Sequence, residues 1–134
     1  MAIQYSTTAR TNSMSQLITD IGASCKIKIW TGSAPANCAT ADTGTLLVTF
    51  TGNAGGFGTA SGGVLTASAV ASANAVASGT AGYFRIYPSA DTSTNAVVQG
   101  TVGTSGADMI VTNTSINSGQ ACTFTSLTVT AFGA

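Results

Sequence analysis

The sequence predicts a mainly β protein, an antiparallel β-sandwich or jelly roll with one N-terminal amphipathic helix. Three observations predict it. Short runs with apolar residues at alternate positions recur along the chain, separated by turns rich in Gly, Pro, Asn and Asp, which is the pattern of many short strands. A single stretch near the N-terminus repeats its apolar residues at helical spacing instead. No strand–helix–strand alternation, heptad or internal repeat is found, which argues against parallel α/β and coiled-coil architectures. A chain of 134 residues suits one domain, 1–134, with a short arm (1–6), a helix (7–22) and about seven to nine strands.

The helix is expected over Thr7–Gly22. Met14, Leu17, Ile18 and Ile21 fall at i, i+3, i+4 and i+7, one apolar stripe that needs a sheet or a neighbouring subunit to cover it. Thr7 or Thr8 is placed to cap the start, Gly22 to end it, and Ser13 with Gln16 forms a second, later capping box. After Gly22 the period changes to two. Cys25, Ile27 and Ile29 alternate with Lys26, Lys28 and Trp30 in a half-buried strand. Residues 31–43 carry Gly32, Pro35 and Asp42 and read as a loop. Leu46, Val48 and Phe50 then form one face of a second strand, with Leu47 opposite.

From Gly52 to Gly82 the composition collapses to Ala, Ser, Thr and Gly. Two weak strands are expected there, near Val64–Val70 and Asn74–Ser78, and the Gly pairs at 55–56 and 62–63 suit turns. The alternation returns in Tyr83–Tyr87 and stops at Pro88. Ala96–Val102 and Asp108–Asn113 make two further strands, and a long last strand runs over Gln120–Phe132. Its inward parity switches between Phe124 and Leu127, which a bulge near Ser126 reconciles.

Composition argues against catalysis. The chain has four basic and four acidic side chains, no His and no Glu. Nucleophilic catalysis needs a base beside Ser, Thr or Cys, and only Lys26, Lys28 or an Asp remains for that role. The four Asp residues each lie beside a turn, where hydrogen bonding to local amides is their ordinary work. No metal-ligand spacing is present, so no enzyme activity, cofactor or metal is expected. Four bases balanced by four acids make no phosphate-binding footprint, so no nucleic acid is expected. No run of about 18 apolar residues exists to cross a membrane, and Met1–Arg10 lacks the regions of a signal peptide. Cys25, Cys38 and Cys122 leave at least one thiol unpaired in a monomer. Cys25 and Cys122 read as small buried apolar residues of a chain made in a reducing cytoplasm. A charged fraction of 6% with zero net charge removes the usual barrier to self-association, so a homo-oligomer is expected.

The most distinctive side chains lie on two strands. If they are neighbours, Lys26, Lys28 and Trp30 line up with Tyr83, Arg85 and Tyr87 in a cation–π patch. Trp, Tyr and Arg are enriched at interface hot spots. One reading makes this patch an assembly contact; the other makes it second-layer core beneath the N-terminal helix. Ile3 and Tyr5 of the arm and Arg10 of the helix join Lys28, Trp30, Tyr83, Arg85 and Tyr87 as candidate interface residues.

The strings Ala2-Ile3-Gln4-Tyr5-Ser6, Lys28-Ile29-Trp30-Thr31-Gly32-Ser33-Ala34-Pro35-Ala36-Asn37-Cys38-Ala39 and Ala41-Asp42-Thr43-Gly44-Thr45-Leu46-Leu47 resemble a family of small tailed-bacteriophage virion proteins. Gly79-Thr80-Ala81-Gly82-Tyr83-Phe84-Arg85-Ile86-Tyr87 and Asn113-Thr114-Ser115-Ile116 extend the likeness, which is weakest over 52–78. The resemblance implies a structural protein of the phage head, made in the host cytoplasm and carried in the virion. It implies a cement or decoration protein that binds and stabilises the major capsid protein shell as a dimer or trimer. A tail, neck or fibre component is the nearest alternative. A carbohydrate-binding adhesion module, stacking sugars on Trp30, Tyr83 and Tyr87, is another.

Overall fold

The structure is a computed structural model that describes residues 2–133. Its one helix, α1 (Thr7–Ile21), follows an exposed arm. Ser6, rather than Thr7 or Thr8, caps it: the Ser6 hydroxyl accepts the Ala9 N–H at 3.1 Å. Ser13 and Gln16 therefore sit inside the helix and cap nothing. Gly22 ends it as expected, at φ 75°, donating its N–H to the Ile18 carbonyl. Met14 and Ile21 of the expected stripe are buried, and Leu17 and Ile18 pack against the core from its edge.

The rest is β. The strands are β1 (Lys26–Thr31), β2 (Leu46–Thr51), β3 (Gly58–Ser61), β4 (Val64–Ala67), β5 (Ala73–Asn74), β6 (Gly79–Tyr87), β7 (Val98–Gly103), β8 (Met109–Val111), β9 (Ser115–Ile116), β10 (Ala121–Cys122) and β11 (Phe124–Thr130). One curled sheet runs β2-β1-β6-β7-β8-β11-β4-β3, with β9 added on β6 and a small β10-β5 pair beside it. The mainly β class with one helix is as the sequence predicts. Among the described residues eleven strands stand where about seven to nine were expected: β3 and the two-residue β9 were not expected, the expected last strand is split in two, and the strand expected near Asn74–Ser78 is reduced to the two residues of β5.

Curling brings the inner face of β1, β2 and β6 against β11 and β4. Ile27, Ile29, Val48, Phe50, Phe84 and Ile86 meet Leu65 and Leu127 in one core. Phe50 and Phe124 close it edge to face, their ring centroids 5.3 Å apart. Leu47, expected on the outer face, is also fully buried. The β1–β2 register jumps from Ile29↔Val48 to Trp30↔Leu46, so Leu47 is the extra residue of a bulge.

β3 and β4 form a hairpin through Gly62-Gly63, at φ 60° and 78°. A two-residue turn with both residues at positive φ is the type I′ connection that matches strand twist. The expected last strand is broken at Thr123 into β10 and β11 and stops at Thr130. The expected irregularity is present, between Phe124 and Ser126.

The sheet is mixed, where an antiparallel one was expected. β7 and β8 pair parallel, Val102↔Met109 and Gly103↔Ile110, across a loop far shorter than the usual crossover of a dozen residues. The Asp108 carboxylate folds the chain back, accepting from the Thr101 N–H at 2.9 Å and the Thr101 hydroxyl at 3.1 Å, while its own N–H reaches that hydroxyl at 3.2 Å. Asp108→Ala removes the carboxylate acceptor and is expected to lower stability by roughly 1–2 kcal/mol, read as a shift in the urea midpoint. An unchanged midpoint would show that this clamp contributes nothing.

Candidate functional site

Two regions collect the unusual side chains: a covered polar cluster on the outer face of β1 and β6, and an open apolar end around α1. The first arises from alternation. β1 and β6 are antiparallel neighbours, with Lys26↔Tyr87, Lys28↔Arg85 and Trp30↔Tyr83. The expected patch is therefore assembled on one face. Trp30 and Tyr83 stack with centroids 6.4 Å apart, and the Lys28 ammonium lies 4.9 Å from the centre of the Tyr87 ring.

That face is not open to a partner. Residues 32–45 fold across it as a strap, while the helix, the cover expected on one of the two readings, packs against β3 and β4 instead. Arg85 is wholly buried and makes a bond with each arm of its guanidinium. Nη1 donates to the carbonyl of Thr40 and the carboxylate of Asp42, both at 2.8 Å, and more weakly to Ser93 O at 3.3 Å. Nη2 donates to Asn37 O and to Gln99 Oε1, each at 2.9 Å, and Nε shares Gln99 Oε1 at 3.1 Å. Gln99 in turn donates to Pro35 O at 2.8 Å. The Tyr87 hydroxyl donates to Asp42 Oδ1. Tyr83 donates to Thr43 O at 2.6 Å and accepts from Thr43 N. Tyr83, Arg85 and Tyr87 are thus structural anchors of the strap rather than contact residues. A buried charge is tolerated when it is paired and fully hydrogen-bonded, and Arg85 meets both conditions.

Lys28 and Trp30 lie at the rim, half-buried. Lys28 pairs with Asp91 at 2.7 Å, and that contact holds the Asp91 carboxyl below its usual range. The Trp30 indole N–H is buried without a partner. Burial first, and then the Asp42 carboxylate, push the Tyr87 phenol well above its ordinary value of 10. Because its folded pKa is raised, the stabilisation is complete below about pH 10 and is lost as the pH climbs beyond it. With no His in the chain, the unfolding midpoint is expected to stay flat from about pH 6 to 8 and to fall above about pH 10. Tyr87→Phe should flatten part of that alkaline fall; an identical fall would assign it to other groups.

The second region gathers Tyr5 and Arg10, with Ile3 on the exposed arm that leads to it. Ile3 is 79% exposed, Tyr5 51% and Phe132 83%. Tyr5 N–H bonds to Gly133 O at 2.7 Å, tying the arm to the C-terminal segment. Arg10 lies flat on the β3–β4 turn, where Gly63 leaves room for its guanidinium and Nη2 reaches Gly62 O at 3.1 Å. Phe132 stands between two hollows. An open groove of about 620 Å³ follows α1 past Met14 and Leu17 to Asp20, walled opposite by Val97, Val98 and Val129. A smaller hollow of about 210 Å³ lies between Tyr5, Arg10, Met14 and Ala131. The sequence reading missed Phe132, whose exposure comes from β11 stopping at Thr130. Strand alternation carried through that position had hidden it.

Among the described residues no three of His, Cys, Asp or Glu cluster, and no helix is long and apolar enough to cross a membrane. Cys25, Cys38 and Cys122 are all free thiols, and burial raises the pKa of Cys25 and Cys122. Comparison with protein-family models, with curated proteins and with solved structures finds no match.

Proposed function

We propose that this chain is a non-enzymatic structural subunit that works by contact area: a bacteriophage virion protein of the cement or decoration kind, seated on the major capsid protein of the head. The observation that carries the reading is the apolar end. Phe132 stands between two grooves and Tyr5 lines the smaller of them, both exposed, on a chain with 6% charged residues. Isolated exposed apolar residues are ordinary, but several gathered at a groove mark an interaction surface. Low charge suits contacts that symmetry repeats many times over a shell. Binding the assembled shell and not its free subunits would stabilise the shell by mass action. The likeness of the arm and of residues 28–47 to tailed-phage virion proteins points to the same role.

The adhesion reading loses its platform, since Tyr83 and Tyr87 are buried under the strap. The test is quantitative mass spectrometry of purified particles, with the chain located in their electron-microscopy density. On the order of hundreds of copies per particle places it on the shell, and about six to a few tens places it in the tail or neck. Particles without it overturn the reading.

A further inference from the structure

We propose that the strap over residues 32–45 is a lid that lifts as one body while the sheet beneath it stays folded, with the Asp42 carboxylate as its latch. This movement belongs to the chain itself, whether or not the chain sits on a virion shell.

The strap hangs from a narrow neck. Its two ends are joined, the Thr31 N–H bonding to Thr45 O at 3.0 Å and the Thr45 N–H to Thr31 Oγ1 at 2.9 Å. The loop can therefore swing without parting β1 from β2. Gly32 and Gly44 lie just inside the neck, at φ 82° and 78°, and glycine changes its backbone angles at the least steric cost. Between them the strap holds its own shape. Asn37 Oδ1 accepts from the Ala39 and Thr40 N–H groups, both at 3.0 Å, and from the Thr40 hydroxyl at 3.1 Å. A loop braced from within, with its ends tied together, leaves as a unit rather than fraying residue by residue.

Its hold on the sheet is polar and narrow. None of residues 32–45 is buried, and none belongs to the hydrophobic core. Among the described residues, every hydrogen bond from the strap to the body beyond the neck runs to one of four side chains: Tyr83, Arg85, Tyr87 or Gln99. The strap offers them main-chain groups at Pro35, Asn37, Thr40 and Thr43. Asp42 supplies the single strap side chain that reaches in, and its Oδ1 accepts from both Arg85 and Tyr87. The sheet below is held differently. β6 is paired on both sides, with β1 and β7, over the core residues Ile27, Ile29, Phe84 and Ile86. Segments with few buried apolar contacts open at lower free energy than core strands. Lifting the strap uncovers Tyr83, Arg85 and Tyr87 on a face that the pairing of β1 with β6 keeps in place.

Native-state hydrogen exchange of the full chain, read residue by residue by NMR, tests this together with nitration of its tyrosines by tetranitromethane. The Thr43 N–H is bonded to the Tyr83 hydroxyl. Corrected for intrinsic rates, it is expected to exchange at least about 100-fold faster than the Phe84 and Ile86 N–H groups, with a much weaker dependence on urea. Tyr83 and Tyr87 should be nitrated at the same open fraction, with exposed Tyr5 as the reference, because one movement uncovers both rings. Asp42→Asn should raise the Thr43 exchange and both nitration rates together, by on the order of 100-fold. Equal opening and equal urea slopes for Thr43 and the β6 N–H groups overturn the proposal, since the strap would then leave only when the sheet unfolds. Fast exchange at Thr43, with both phenols reacting only at the rate of global unfolding, overturns it too: that is one hydrogen bond breathing. A folded Asp42→Asn variant with wild-type rates removes the latch. Should that variant fail to fold, the wild-type comparison decides alone.

Discussion

Replacing Arg85 by Met is expected to lower the stability of the fold by about 3–5 kcal/mol, enough to leave the strap over residues 83–87 detached or the whole chain unfolded. The guanidinium is wholly buried and supplies the donors for the carbonyls of Asn37 and Thr40, the carboxylate of Asp42 and the side-chain oxygen of Gln99. A Met side chain fills much of the same length but donates nothing. Four acceptors would then face a site that no longer neutralises Asp42, whose own side chain is only 10% exposed. The cost comes from stranded partners more than from the lost bonds, so the two changes should not add. Asp42→Asn in the Arg85→Met background should therefore cost less than Asp42→Asn alone. Urea unfolding followed by the emission of Trp30 reads this directly, since Trp30 is the one tryptophan and stacks on Tyr83 at the rim of the covered cluster. Wild-type stability in Arg85→Met would mean that the strap is held by Tyr83, Tyr87 and Gln99 without the guanidinium.

The same cluster shows where sequence reasoning reaches and where it stops. Alternation alone placed Lys26, Lys28 and Trp30 beside Tyr83, Arg85 and Tyr87, because strand period puts every second residue on one face and the two strands pair. Alternation does not say whether that face meets water or a covering segment. Arg85 finds its partners 43 to 48 residues away in a loop, and two of them are main-chain carbonyls, which every residue type carries. No spacing in the sequence announces such contacts. The helix was legible because four apolar residues repeat at one spacing, whereas Ser6 competed for the cap with two threonines of nearly equal aptitude. β3 was invisible for a different reason. Gly-Thr-Ala-Ser has little strand preference of its own and is held by pairing with β4 through the Gly62-Gly63 turn.

The apolar end was half legible. Ile3 and Tyr5 stand out because they precede the cap and belong to no periodic run, and both are exposed. Arg10 was singled out for its charge, yet its position depends on Gly63, whose missing side chain opens the space in which the guanidinium lies. A glycine pair signals a turn; it does not signal which side chain will rest on that turn.

Gly82→Ala is the second large effect, expected to cost on the order of 3 kcal/mol. β6 runs through Gly82 at an irregularity, where pairing with β1 jumps from Trp30↔Tyr83 to Thr31↔Ala81. The unpaired residue brings β6 against the start of the strap. A β-carbon on Gly82 would lie 1.9 Å from the Gly32 carbonyl oxygen and 2.8 Å from its carbon and nitrogen. Those neighbours are backbone, so no rotamer change relieves the overlap; either β6 or the strap must move. Movement of the strap pulls on the segment that carries Asn37, Thr40 and Asp42 and so loosens the Arg85 cluster. Gly55→Ala is the matched control, since a β-carbon there meets nothing within 4 Å and its φ is not positive. It should leave the midpoint within about 0.5 kcal/mol of wild type. Equal stability of the two variants would show that β6 and the strap do not press together at this point, and the seating of the strap on Arg85 would have to be redrawn.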